Sequence, residues 1–147
     1  MVRRLDQECK KDKSARFFIR SETKQNLIIG FCHFTQIFRG PFQACYLGYK
    51  IDYEYESQGL MFEALEMSIR YIFEELNLHR IMSNYMPMNT RSAKLLNRLG
   101  FVIEGYVKNS LLINHQWKNH ILAAFSVKEW RSLKVHIRRK KIIDNFW

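Results

Sequence analysis

The stretch Glu56-Ser-Gln-Gly-Leu-Met61 is where this chain is best equipped to hold an anion. An apolar, aromatic-rich segment with strand character, Cys45 to Ile51, precedes it, and a run with helical periodicity follows. The order is strand, glycine-bearing turn, helix start. The first N–H groups of a helix have no internal partner, and the helix dipole adds partial positive charge there, so main chain alone can hold a phosphate or carboxylate. One glycine is a weak sign of phosphate binding; the segment that follows strengthens it.

That segment predicts a helix over about Gly59–Leu76. Met61, Leu65, Ile69, Ile72, Phe73 and Leu76 fall on one face at a period near 3.6. Glu63, Glu66, Arg70 and Glu74 take the other face, Glu66 and Arg70 as an (i, i+4) pair in the favourable order. The competing reading is an ordinary amphipathic core helix.

The elements that must position this turn run as follows. Residues 1–13 look helical with a thin apolar face. Strands are expected over Ser14–Glu22, Asn26–Ile37 and Ala44–Ile51, an antiparallel meander feeding the turn. A further strand, His79–Tyr85, ends at Pro87. Asn89 or Thr90 then caps a short helix, Arg91–Leu99, with Ser92, Leu95, Leu96 and Leu99 inward and Arg91, Lys94 and Arg98 outward. Gly100 reads as its left-handed C-cap and Phe101 as the return into the core. Strands Val102–Asn109 and His120–Val127 follow, joined through Leu111–Lys118. In Leu133, Val135 and Ile137, apolar residues alternate with polar ones, which suits part of a strand.

At 147 residues and 47% hydrophobic, the chain suits one globular domain with a single core. No apolar run is long enough to span a bilayer, so no membrane partner is expected. Cys9, Cys32 and Cys45 are odd in number with no C-x-x-C spacing, which suits a reduced cytosol and gives no metal site. The net charge of +10 is concentrated at the ends: six Lys/Arg against three Asp/Glu in residues 1–16, and seven against two in residues 128–147. Basic ends suit a polyanion such as RNA, or simply a solvated terminus.

Several motifs in order resemble a known family. Gln58-Gly-Leu-Met-Phe-Glu-Ala-Leu65, then Arg80-Ile-Met-x-Asn-Tyr-Met-Pro87, then Asn89-x-Arg-Ser-x-x-Leu-Leu-x-Arg-Leu-Gly-Phe101 and Glu104-Gly-Tyr106 look like the Rim-type ribosomal-protein alanine N-acetyltransferases, of the RimJ type. These belong to the general N-acetyltransferase (GNAT) superfamily. The resemblance covers about residues 14–130. It implies an α/β (α+β) fold: a mixed, mostly antiparallel sheet, flanked by helices, that splays open between its fourth and fifth strands. It implies acetyl-CoA as co-substrate in that gap, pantetheine against Tyr49, Lys50 and Ile51, and pyrophosphate on the amides of Ser57, Gln58, Gly59, Leu60 and Met61. The resemblance also places Asn89 in the cofactor site and makes Ser92 the donor to the leaving thiolate. Arg91, Lys94 and Arg98 either reach CoA phosphates or form the wet face of the helix, and the cofactor role is expected for Arg91 alone. The acceptor is the N-terminal amine of a protein, ribosomal by analogy.

The chain also departs from the family pattern. Glu56 stands where the superfamily turn carries a neutral or basic residue. One unit of repulsion from a phosphate at ~4 Å, with an effective dielectric near 20, is roughly 4 kcal/mol, less if the carboxylate turns to solvent. Leu96 replaces a tyrosine acid, and Leu111 a glutamate base used by one branch. His33, Glu63 and Glu104 are weak base candidates. The usual first strand and helix are expected to be missing, which would open a sheet edge to another chain and allow a homodimer. The organisation is then an acetyltransferase-like domain, 1–130, and a basic extension, 131–147. The alternatives are an inactive ribosome- or RNA-binding module, or acetylation of a small amine such as a polyamine.

Overall fold

The structure, a computed structural model, describes residues 12–134 throughout and the backbone of residues 5–10. It divides into two compact units, Met1–Asn84 and Tyr85–Trp147.

The first unit is built on five strands: β1 (Leu5–Lys10), β2 (Ser14–Arg20), β3 (Ile28–Phe38), β4 (Ala44–Ile51) and β5 (Arg80–Tyr85). The first four pair antiparallel in chain order. A single 3-10 turn, Tyr53–Tyr55, and helix α1 (Leu60–Glu74) lie between β4 and β5, and this crossover makes the β4–β5 pair parallel. Period-two burial in β2 points Ala15, Phe17 and Ile19 into one core, with Cys32 and Phe34 of β3 and Cys45 and Leu47 of β4. From α1, Leu65, Ile69, Ile72 and Phe73 close that core. The Phe17 ring stands edge-on to Phe34 at 5.9 Å and to Tyr71 of α1 at 5.5 Å. Arg39 ties the far end together: its Nε donates to Asp12 Oδ2 at 2.7 Å, and one terminal nitrogen to the Leu76 carbonyl just past α1 at 2.6 Å.

In the second unit, Asn89 Oδ1 accepts from the Ser92 N–H at 3.1 Å and opens α2 (Thr90–Leu99). Gly100, at φ 106°, ends it, with its N–H donating to the Leu96 and Asn97 carbonyls. A Cβ at Gly100 would stand 2.6 Å from Leu133 Cδ1 and 3.0 Å from the Phe125 ring, so closeness as well as backbone angle calls for glycine. Strands β6 (Val102–Ile113) and β7 (Gln116–Ser126) form a hairpin. Its two-residue loop, Asn114-His115, has both φ positive, as hairpin twist favours. Residues 127–134 are helical (α3). They start from a reciprocal cap in which Ser126 Oγ accepts from the Glu129 N–H at 3.2 Å and Glu129 Oε2 accepts from the Ser126 N–H at 2.8 Å.

Three expectations change. The helix expected over residues 1–13 is strand β1, in register with β2 from Leu5↔Ile19 to Lys10↔Ser14. Pairing along β2 overrides a weak helical pattern, and Asp12, at φ 56°, supplies the tight reversal. The last two strands are longer than expected, because the connection between them is the two-residue turn Asn114-His115 and not the long loop Leu111–Lys118. Leu133 lies in α3 and not in a strand, since Ser126-x-x-Glu129 starts a helix there; Val135 and Ile137 lie outside the described residues.

Candidate functional site

Strand β4 carries the first half of the site. Its parallel pairing with β5 covers Ala44↔Arg80, Cys45↔Ile81 and Tyr46↔Met82 and goes no further. The buried Ser83 hydroxyl then donates to the Leu47 carbonyl at 3.1 Å, where the ladder stops. On its other side β4 stays paired with β3 through Tyr49↔Cys32, Lys50↔Phe31 and Ile51↔Gly30. From Gly48 to Ile51, therefore, one edge of β4 is laddered and the edge towards β5 is not. A Cβ at Gly48 would meet nothing within 4 Å. Open main chain with space beside it is what an extended polar chain pairs with.

The chain leaves β4 through a hydrogen bond from the Asp52 N–H to the Ile29 carbonyl at 2.7 Å and winds through the 3-10 turn. Ser57 at φ 59° and Gly59 at φ 78° then reverse it onto α1. Gly59 is the N-cap, and no side chain caps the helix. The first helical bond runs from the Glu63 N–H to the Gly59 carbonyl at 3.1 Å, so the amides of Leu60 and Met61 lie ahead of the intrahelical ladder. Their side chains are buried, and Met61 Sδ accepts from the Cys32 thiol at 3.7 Å. The first turn is thus anchored from behind, with its amides forward, and the site Gly59 leaves for a Cβ is open. Gln58 is held by its side-chain amide on the Glu54 carbonyl at 3.1 Å, which leaves its main chain to line the turn. Glu56 is half-buried and has a partner of its own.

A cavity of about 570 Å³ opens beside this turn, bounded by Gln58, Leu60, Tyr55 and Glu54 and, across from them, by the β2–β3 turn at Glu22–Lys24. Lys24 Nζ lies 3.6 Å from Glu54 Oε2 and 5.5 Å from the centre of the Tyr55 ring. The contact with Tyr55 first, and the Glu54 charge next, hold the Lys24 amine above its ordinary pKa.

In the second unit, Asn89 is spent on capping α2. Ser92 is half-buried on that helix, with Arg91, Lys94 and Arg98 on its wet face. His33 is half-buried on β3, with a nitrogen of Arg16 3.2 Å from Nδ1; partial burial, then the Arg16 charge, lower its pKa. Glu104 is exposed on β6, and Glu63 is half-buried in the first turn of α1.

One group escaped the sequence reading. His120 on β7 is 4% exposed, with Nδ1 2.8 Å from Ser110 Oγ and 3.2 Å from the Lys118 carbonyl. The Lys118 carbonyl only accepts, and Ser110 Oγ also donates to it at 3.2 Å, so the three groups form one buried polar cluster. Ser110 lies where the β6–β7 register shifts, and nothing in the local sequence signals that shift. Burial pushes the thiols of Cys32 and Cys45 up to about 12, so neither offers a thiolate nucleophile near neutral pH.

An open-edged fourth strand running into an uncapped, glycine-led helix start is an arrangement of main-chain groups with the chemistry to receive an extended polar chain and an anion. The family model "Acetyltransferase (GNAT) domain" matches residues 2–102, and the chain belongs to that family. It is 48% identical over 123 residues to the [ribosomal protein uS5]-alanine N-acetyltransferase of Escherichia coli (strain K12), covering 84% of this chain and 63% of that protein. The ribosomal-protein-S5-alanine acetyltransferase of Vibrio fischeri superposes with a TM-score of 0.76 at 40% identity, over 80% of this chain and 63% of that one. Mycobacterium smegmatis RimJ in complex with CoA-disulfide superposes with a TM-score of 0.74 at 26% identity, over 80% of this chain and 55% of that one. The chain therefore spans less than two thirds of the length of these relatives.

Proposed function

We propose that this chain transfers an acetyl group from acetyl-CoA to the N-terminal amine of a protein, an alanine of a ribosomal protein by likeness to the relatives above. One observation carries the reading: the unladdered edge of β4 from Gly48 to Ile51 runs directly into the uncapped start of α1. In this reading Tyr49, Lys50 and Ile51 offer main chain to the pantetheine. The amides of Ser57, Gln58, Gly59, Leu60 and Met61 take the pyrophosphate, and Asn89 and Arg91 add contacts from the second helix.

The chemistry is direct transfer. The α-ammonium, with a pKa of about 8, loses a proton to a base or to water, and the neutral amine attacks the thioester carbon. The Ile51 amide stabilises the oxyanion as the tetrahedral carbon forms. The carbon–sulfur bond then breaks and Ser92 passes a proton to the departing thiolate, while the proton that the attacking nitrogen sheds passes through water and restores the Ser92 hydroxyl. The raised thiols of Cys32 and Cys45 speak against an acetyl-cysteine intermediate on either.

Titration calorimetry with CoA tests the reading. Binding is expected, and more tightly in Glu56→Gln; no heat and no thermal stabilisation at millimolar CoA would overturn it. Contact of the basic ends with RNA, and self-association, belong to the same reading and rest on charge clustering and on β1, the end strand of the sheet. Sedimentation at rising concentration reads the self-association.

A further inference from the structure

We propose that Lys24, on the turn between β2 and β3, is a cofactor-positioning residue whose ammonium leaves Glu54 for a phosphate of bound CoA. The inference rests on the acetyl-CoA reading above and adds a residue from an element that the pyrophosphate turn does not include. Three observations carry it. First, Gln58 and Leu60 of the pyrophosphate turn and Lys24 border the same cavity. Second, Lys24 is the one cation bordering that cavity among the described residues, against the carboxylates of Glu22 and Glu54. Third, the turn that carries it is fixed. The Leu27 N–H donates to the Lys24 carbonyl at 2.8 Å, the Ser21 N–H donates to the Leu27 carbonyl at 2.9 Å, and Gln25 and Asn26 adopt positive φ.

The electrostatics follow from this arrangement. Without Lys24, the cavity wall would present two negative charges beside a turn that must receive a diphosphate. With it, Glu54 is neutralised at 3.6 Å. The pair is open to water, with side-chain exposures of 58% and 62%, so the partners separate at little cost. The diphosphate carries two negative charges over its two phosphorus centres and the 3′-phosphate monoester nearly two, so either competes well with one carboxylate for the same ammonium, and a flexible lysine follows the stronger field. Glu54 therefore acts as a parking site that keeps Lys24 at the cavity while it is empty.

Calorimetry on the whole chain tests this with CoA and with 3′-dephospho-CoA at two salt concentrations. Lys24→Ala is expected to weaken CoA binding by about five- to ten-fold and to flatten its salt dependence, with little change in melting temperature. Lys24→Arg should restore most of the affinity. Glu54→Gln, which frees the lysine, should tighten binding by roughly two- to five-fold, and that gain should vanish in the double variant Lys24→Ala/Glu54→Gln. An equal loss on 3′-dephospho-CoA assigns the contact to the diphosphate, and a loss confined to CoA assigns it to the 3′-phosphate. Unchanged affinity in Lys24→Ala would overturn the proposal while the acetyl-CoA reading stood. Weaker binding in Lys24→Ala without a gain in Glu54→Gln would overturn the exchange between partners. Absence of binding by the parent chain would overturn the acetyl-CoA reading itself.

Discussion

Single side chains separate turnover from folding in this chain. Ser92 is half-buried, and its main-chain N–H is used by the Asn89 cap. Ser92→Ala should therefore leave the melting temperature nearly unchanged and lower the acetylation rate by about ten- to a hundred-fold, within the range for losing one proton donor. An unaltered rate would remove Ser92 from the chemistry. His33 gives a pH signature. Its pKa is lowered in the fold from the ordinary 6.5, by desolvation and then by Arg16, so the unfolded chain binds more protons just below 6.5. Stability should rise with pH through that window and level off above 6.5. Denaturant melts from pH 5 to 8 should show this slope weakened in His33→Gln; an identical slope would assign it to other groups. Asn89 was legible as a cap because its side chain acts three residues along the same helix. The burial of His120 against Ser110 was not, because it depends on a carbonyl and a hydroxyl set by hairpin register.

At the scale of elements, two glycines test two different physical causes. Gly59 needs its left-handed backbone and has empty space where a Cβ would stand. Gly59→Ala should cost about 1–2 kcal/mol from backbone conformation alone and should weaken CoA binding by moving the amides of the turn. Gly30 needs no special backbone angle, but a Cβ there would lie 2.8 Å from the Lys50 carbonyl and 3.2 Å from Ile51 Cα. Gly30→Ala should cost about 1–3 kcal/mol through overpacking against main chain that cannot step aside. Chemical denaturation reads both, and a Gly30→Ala as stable as the parent would show that β3 and β4 can part there. The sequence disclosed α1, α2 and β4 closely, because each carries a strong period and a local stop signal. It disclosed the Gly59 turn by order alone. It misread residues 5–10, whose strand state depends on pairing with β2, and passed over the Ser126-x-x-Glu129 cap because the preceding strand was extended to Val127.

For the whole molecule, the uneven charge makes the next prediction. Lys134 is the last described residue of the C-terminal cluster, with its Nζ 3.7 Å above the Trp130 ring; Arg138, Arg139, Lys140 and Lys141 lie outside the described residues. If this cluster meets RNA, binding should fall steeply with salt, because counterions are released for each phosphate neutralised. Removing residues 131–147 should flatten that slope by about 0.7 for each single-strand phosphate that the segment neutralises. Filter binding over a salt series reads it, and equal slopes with and without the segment would reject the RNA partner. Charge and composition can point to such a partner but do not position it. Pairing and packing within each unit followed more closely from local patterns than the partner did.

The early end of the β4–β5 ladder has a consequence for how this site tolerates change. Recognition by unladdered main chain from Gly48 to Ile51 is written in atoms that every residue type shares. Side-chain substitutions along this run leave the donors and acceptors in place, so a ligand that pairs with them would be indifferent to most side-chain changes there. The constraint falls instead on what fixes where the two strands part and on the space behind the run: the Ser83 hydroxyl, which ties β5 to the Leu47 carbonyl at the fork, and the bare Cα of Gly30 behind Ile51. A site of this kind would be set by a shape, and the residues that hold that shape stand beside it and not in it.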